Sequence, residues 1–174
     1  MEGVNSNIAF KPETLALIDR IINQFPQGRQ KSAILRVLHL AEIEFDNWLS
    51  TDVMDYVARL LHIQPIEVYE VASFYSMYNL SPVGKVVLEV CQTGPCSIVG
   101  ADRIISHIEK SLKIKKGETT SDGMFTLKTV ECLGACGYGP MLQINEHYYE
   151  NLTEDSVDEL LSEMRKIHSN KNEN

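Results

Sequence analysis

All four cysteines of the chain fall in two short motifs. In Cys91-Gln92-Thr93-Gly94-Pro95-Cys96 four residues separate the thiols, and in Cys132-Leu133-Gly134-Ala135-Cys136 three do. Four thiolates gathered at one point suit either a 2Fe–2S cluster or a tetrahedral zinc ion. Structural zinc pairs usually sit on tight knuckles with two residues between the cysteines, although wider spacings occur. The wider loops here favour the cluster, in which each pair grips one iron beside bridging sulfides. Gly94, Gly100, Gly134, Gly137 and Gly139 flank the thiols. Without a Cβ the backbone can approach the sulfides and aim N–H groups at them. Such hydrogen bonds stabilise an anionic cluster and raise its potential. A thioredoxin-like dithiol is disfavoured, because the chain has no Cys-x-x-Cys. Buried free cysteines with ordinary turn glycines are the blander reading. Two separate motifs, each following a strand, argue against it.

The elements that must position these thiols can be read from periodicity. Lys85 to Val90 is rich in β-branched residues and ends at Cys91, which predicts a mostly buried strand. A helix is expected over Ala101 to Leu112, with Ile104, Ile105, Ile108 and Leu112 apolar. Gly117 to Gly123 reads as a polar loop, and Phe125 to Val130 as a second strand just before Cys132. Met141–Ile144 and His147–Tyr149 read as two short strands turned by Asn145-Glu146. Thr153 caps a last helix with Val157, Leu160, Leu161 and Met164 inward, and the polar tail from Ser169 is expected to fray. Strand ends in α/β sheets are where sites are built. Two adjacent strands ending on the same side bring the cysteine pairs together.

The first half predicts four short helices. Pro12 opens the first, with Leu15, Ile18, Ile22 and Phe25 at helical spacing. The second starts near Ser32, shows Ile34, Leu38, Ala41 and Phe45 on one face, and ends at Asp46-Asn47. Ser50 or Thr51 caps the third, carrying Val53, Val57 and Leu60, and Pro65 opens the fourth, with Ile66, Tyr69 and Phe74. The fold class is therefore α+β: a small antiparallel helical bundle over residues 1–80, then a small sheet with packed helices over 81–174.

The 174 residues carry 16 Lys+Arg against 24 Asp+Glu, a formal charge of −8. That balance lacks the cationic field that attracts nucleic acid or anionic lipid. The short Lys113-Ile114-Lys115-Lys116 run fits the basic end of a helix. No apolar run is long enough to cross a bilayer, so no direct membrane insertion is expected. Met1-Glu2-Gly3-Val4-Asn5 has neither the secretory nor the organelle-targeting pattern, which makes a cytoplasmic setting the expectation. In that compartment thiols are ligands or redox groups more often than structural disulfides. The five histidines, His39, His62, His107, His147 and His168, are scattered without metal-ligand spacing. No Gly-rich dinucleotide fingerprint and no nucleophile–base pair stands out, so neither an independent catalytic site nor a dinucleotide site is expected in this chain. Glu154-Asp155 is explained by the first turn of a helix. Phe74, Tyr75 and Tyr78 read either as packing between elements or as a docking surface.

Beyond the cysteine spacing, the chain contains Tyr69-Glu70-Val71-Ala72-Ser73-Phe74-Tyr75-Ser76-Met77-Tyr78, Lys115-Lys116-Gly117-Glu118-Thr119-Thr120 and Val130-Glu131-Cys132-Leu133-Gly134-Ala135-Cys136. It also contains Pro140-Met141-Leu142-Gln143-Ile144-Asn145 and Tyr148-Tyr149-Glu150-Asn151-Leu152-Thr153. With these motifs it resembles, over nearly its whole length, the 24 kDa-type 2Fe–2S subunit of NADH:quinone oxidoreductase, respiratory complex I. The resemblance implies a thioredoxin-like 2Fe–2S ferredoxin domain after the helical bundle. It implies one cluster per chain, with Cys91 and Cys96 on one iron and Cys132 and Cys136 on the other. It implies an electron carrier of low potential, plant-type 2Fe–2S centres lying at roughly −400 mV. It further implies docking against the flavin- and NADH-binding subunit, which carries FMN and NADH, in a complex peripheral on the inner face of the membrane. Two alternatives stand beside this reading: the equivalent subunit of an NAD-linked formate dehydrogenase or NAD-reducing hydrogenase, and a zinc-stabilised interaction module.

Overall fold

The computed structural model describes residues 8–170. The segments 1–7 and 171–174, with the N-terminal targeting expectation and the end of the tail, lie outside the described residues. The chain divides into two compact units, Met1–Pro82 and Val83–Asn174.

The first unit holds four helices: α1 (Pro12–Ile22), α2 (Ile34–Glu44), α3 (Thr51–Leu61) and α4 (Pro65–Phe74). Their ends follow local chemistry. Pro12 and Pro65 sit in the first turns of α1 and α4, where a missing N–H costs nothing. The Ser50 side chain accepts the Val53 N–H at 3.3 Å and caps α3. Asp46 and Asn47 follow α2 in the left-handed region, with φ of 57° and 61°. A 3-10 turn, Gln30–Ala33, leads into α2 at the place where the sequence marks a start near Ser32. Ile18, Val37, Leu38, Val57, Leu61 and Val68 form the heart of the core.

Two expectations change here. Leu61, not Leu60, is the fully buried leucine of α3. α4 buries Val68 and Ala72, whereas Ile66 and Phe74 are 58% and 79% exposed. The aromatic trio also splits. Tyr78 is core, its hydroxyl donating to the Leu35 carbonyl at 2.9 Å, while Phe74 and Tyr75 lie outside, ring against ring at 5.1 Å.

The second unit carries one four-stranded sheet in the order β2-β1-β3-β4, with β1 Val86–Cys91, β2 Phe125–Val130, β3 Leu142–Ile144 and β4 His147–Tyr149. β1 and β2 are parallel, and α5 (Gly94–Ile98) and α6 (Ala101–Leu112) make the crossover between them. β3 and β4 are antiparallel neighbours. The alternate residues Val86, Leu88 and Val90 share a core with Phe125, Leu127 and the inward sides of α6 and of α7 (Glu154–Asn170). α7 is capped as expected, Thr153 Oγ1 accepting the Ser156 N–H at 3.1 Å. Ser169 is still helical, its hydroxyl donating to the Arg165 carbonyl at 2.9 Å, so the helix outlasts the expected fraying point.

At the start of β2, Asp122 accepts from the Met124 N–H at 3.0 Å and from Arg165 Nη1 of α7 at 2.8 Å. Arg165, then the Thr120 hydroxyl and the Met124 N–H, hold this carboxyl well below the usual carboxylate range. Its stabilising contribution is present above the ordinary carboxylate pKa and fades on acidification, muted by solvent because the side chain is half exposed.

Candidate metal centre

The parallel pair fixes where the thiols go. In register, Cys91 at the end of β1 lies beside Val130 at the end of β2, so both cysteine loops leave the sheet at the same edge. Cys91 is the last residue of its strand and Cys96 belongs to the helical turn α5. These two thiols are 2% and 1% exposed, and they pack with Ala101 and Met141. Leu133 and Ala135, from between the other two cysteines, pack against the same cluster. Cys132 and Cys136 are exposed, and Cys136 opens a 3-10 turn, Cys136–Tyr138.

Two glycines shape the second loop. Gly139 is where it closes on the first: a Cβ there would stand 3.2 Å from Cys96 Sγ and 3.0 Å from a Val99 methyl. Gly134 has φ of +76°, and its N–H points at Cys132 Sγ at 3.4 Å. A Cβ on Gly134 would meet no protein atom within 4 Å, and the positive φ alone makes a side chain there strained. The Tyr148 hydroxyl donates to the Leu133 carbonyl at 2.8 Å, and the Asn151 N–H donates to the Tyr138 carbonyl at 2.8 Å. The β4 hairpin and the chain after it thus hold the loop in place.

All four cysteines are free thiols. Burial alone would push the Cys91 thiol up. The Thr93 hydroxyl, the Thr93 backbone N–H, the Cys96 thiol and the Leu133 N–H outweigh it and bring Cys91 below the ordinary thiol value. Cys96 is pushed up to about 11, by burial first, then by its hydrogen bond to Cys91 and the nearby charges of Cys91, Cys136 and Cys132. Cys91 and Cys96 are therefore neighbours in one packed cluster, against which Leu133 and Ala135 of the other motif also pack. Among the described residues, no group of three or more His, Cys, Asp or Glu side chains stands close enough to hold a single metal ion.

Residues 18–165 match the family model described as thioredoxin-like [2Fe-2S] ferredoxin. The chain belongs to this family. Among its relatives, the E subunit of the NADH-quinone oxidoreductase of Rickettsia typhi is 45% identical over 159 residues, 91% of this chain and 94% of that one. The mitochondrial NADH dehydrogenase [ubiquinone] flavoprotein 2 of Dictyostelium discoideum is 41% identical over 156 residues, 90% of this chain and 63% of that one. Among solved structures, an NAD+-reducing [NiFe]-hydrogenase in its H2-reduced state matches with a TM-score of 0.67 at 19% identity, over 77% of this chain and 22% of that one. That likeness is one of fold.

For a thioredoxin-like 2Fe–2S ferredoxin the donor set fits. Four soft sulfur donors come from two loops at one sheet edge, two buried and two exposed, with backbone N–H groups on Cys91 and Cys132. The sequence reading named all four thiols, and the structure brings them to one neighbourhood. It passed over Thr93, Val99 and Met141, which line that neighbourhood, because their roles depend on α5 and on the strand edge. The histidines are surface or half-buried residues as expected: His107 faces Asp158 at 2.8 Å and Glu154 at 3.7 Å, a polar cluster between α6 and α7.

Proposed function

We propose that this chain is the 2Fe–2S electron-transfer subunit of an NADH:quinone oxidoreductase, in which Cys91 and Cys96 hold one iron and Cys132 and Cys136 the other. The observation that carries the proposal is the convergence of four free thiols at the shared edge of the parallel pair β1–β2, in a chain of the 2Fe–2S family. A 2Fe–2S cluster, when bound, supplies a one-electron carrier. The protein's own part is to position and insulate it. Cys91 and Cys96, with Met141 and Ala101, provide a buried floor, while Cys132 and Cys136 occupy the solvent side. Identity above 40% to relatives from NADH-quinone oxidoreductases supports the respiratory complex over the hydrogenase alternative.

The reading includes a partner that binds FMN and NADH, and a place on the inner face of the membrane within the assembled complex. Among the described residues no helix is long and apolar enough to cross a membrane, so attachment runs through other subunits in this proposal. Co-expression with a flavin- and NADH-binding subunit tests it. A stable heterodimer is expected on gel filtration at micromolar concentration, as is reduction of the chain's centre by NADH only when that partner is present. Separation of the two subunits, or reduction by NADH without the partner, contradicts the proposal.

A further inference from the structure

Thr93 stands at the N-cap of α5, the position where a threonine side chain ordinarily accepts a backbone N–H from the first turn. Here it makes no such bond. Its hydroxyl turns back over the strand end instead, and Oγ1 lies 3.2 Å from Cys91 Sγ. Thr93 is half-buried, with extended backbone at φ −71° and ψ 164°. The neighbouring amide side chain is engaged elsewhere, Gln92 Nε2 donating to Glu131 Oε1 at 3.3 Å. Cys91 also lies 3.5 Å from the Glu131 carbonyl, which has no hydrogen to give to a thiolate. A cysteine that ligates iron has lost its proton, so a hydroxyl at this distance can only be the donor.

We propose that Thr93 is a positioning residue that tunes the reduction potential of the centre through an O–H···S hydrogen bond to Cys91. This rests on the cluster assignment above and extends it to a residue that ligates nothing. The bond strengthens as negative charge builds on the sulfur, so it favours the reduced form and raises the potential. Charge-assisted hydrogen bonds are stronger than neutral ones, and the relevant quantity is the difference between the two redox states. Losing the bond is expected to change the reduced-to-oxidised ratio at a fixed potential by about three- to tenfold, tenfold being about 59 mV for a one-electron couple. The forgone cap costs little, because α5 is a single short turn whose own Cys96 packs against Cys91, Ala101 and Met141.

The test is a redox titration of the full chain, followed by electron paramagnetic resonance, on wild type, Thr93→Val and Thr93→Ser. Iron and sulfide are assayed in each. Thr93→Val keeps the shape without the hydroxyl and is expected at lower potential. Thr93→Ser keeps the hydroxyl and is expected at the wild-type value. Cluster loss in Thr93→Val alone, with Thr93→Ser unchanged in content and potential, also supports the hydroxyl's role. Equal potentials in all three chains overturn the proposal, as does a Thr93→Ser chain that behaves like Thr93→Val or loses its cluster. Absence of iron and sulfide from the wild type is a different result: it contradicts the cluster assignment itself.

Discussion

A Cys91→Ala or Cys136→Ala chain is expected to purify folded and without its cluster. Each iron needs two protein thiolates, and the two loops supply no more than two each. The change is chemically total and structurally small. At Cys91 it removes one sulfur from a packed group that keeps Met141, Ala101 and Leu133. At Cys136 it removes an exposed side chain. Far-ultraviolet circular dichroism should therefore stay at wild type while iron, sulfide and the visible absorbance fall close to zero. An intact signal from the reduced centre in either variant shows that the substituted cysteine is not an essential ligand.

Phe125→Ala should produce the largest loss of stability. Phe125 opens β2, is fully buried, and has the Arg165 guanidinium 4.9 Å from its ring centre. Truncating a buried phenylalanine costs about 3–5 kcal/mol, through lost burial and the cavity left behind. For a chain of this size each kcal/mol moves Tm by roughly 2–4 °C. β2 is also the strand that delivers Cys132, so the cluster should become labile at lower denaturant concentration. Phe74→Ala is the control: that ring is 79% exposed, and its removal should alter stability by less than about 0.5 kcal/mol. Urea unfolding followed by circular dichroism and by visible absorbance measures both. Similar midpoints for the two variants would refute this account of the core.

The candidate site was legible because its chemistry and its register are both local. Two cysteine motifs announce the donors, and two strongly β-branched runs ending just before them announce the shared edge. α6 (Ala101–Leu112), β2 (Phe125–Val130) and β4 (His147–Tyr149) coincide with the spans read from periodicity and turn residues. α4 shows where that reading fails. Ile66, Val68, Tyr69, Val71, Ala72 and Phe74 surround the helix with apolar groups, so no stripe singles out its inner face. Tertiary packing chose Val68 and small Ala72, which let α4 approach its neighbours closely. α5 was hidden for another reason: Gly94 and Pro95 read as loop residues, although proline in a first turn is compatible with a helix. Thr93 followed from that omission, because its hydroxyl finds Cys91 only once the helical turn sets its direction. Gly134, read as a glycine that the loop requires, has the left-handed backbone that favours glycine, with φ of +76°.

The central claim is that four thiols on two loops hold one 2Fe–2S cluster, and it is tested most directly by elemental and sulfide analysis of anaerobically purified protein. About two irons and two acid-labile sulfides per chain are expected, with an electron paramagnetic resonance signal that appears on reduction by one electron. One zinc per chain, colourless and without sulfide, would contradict it.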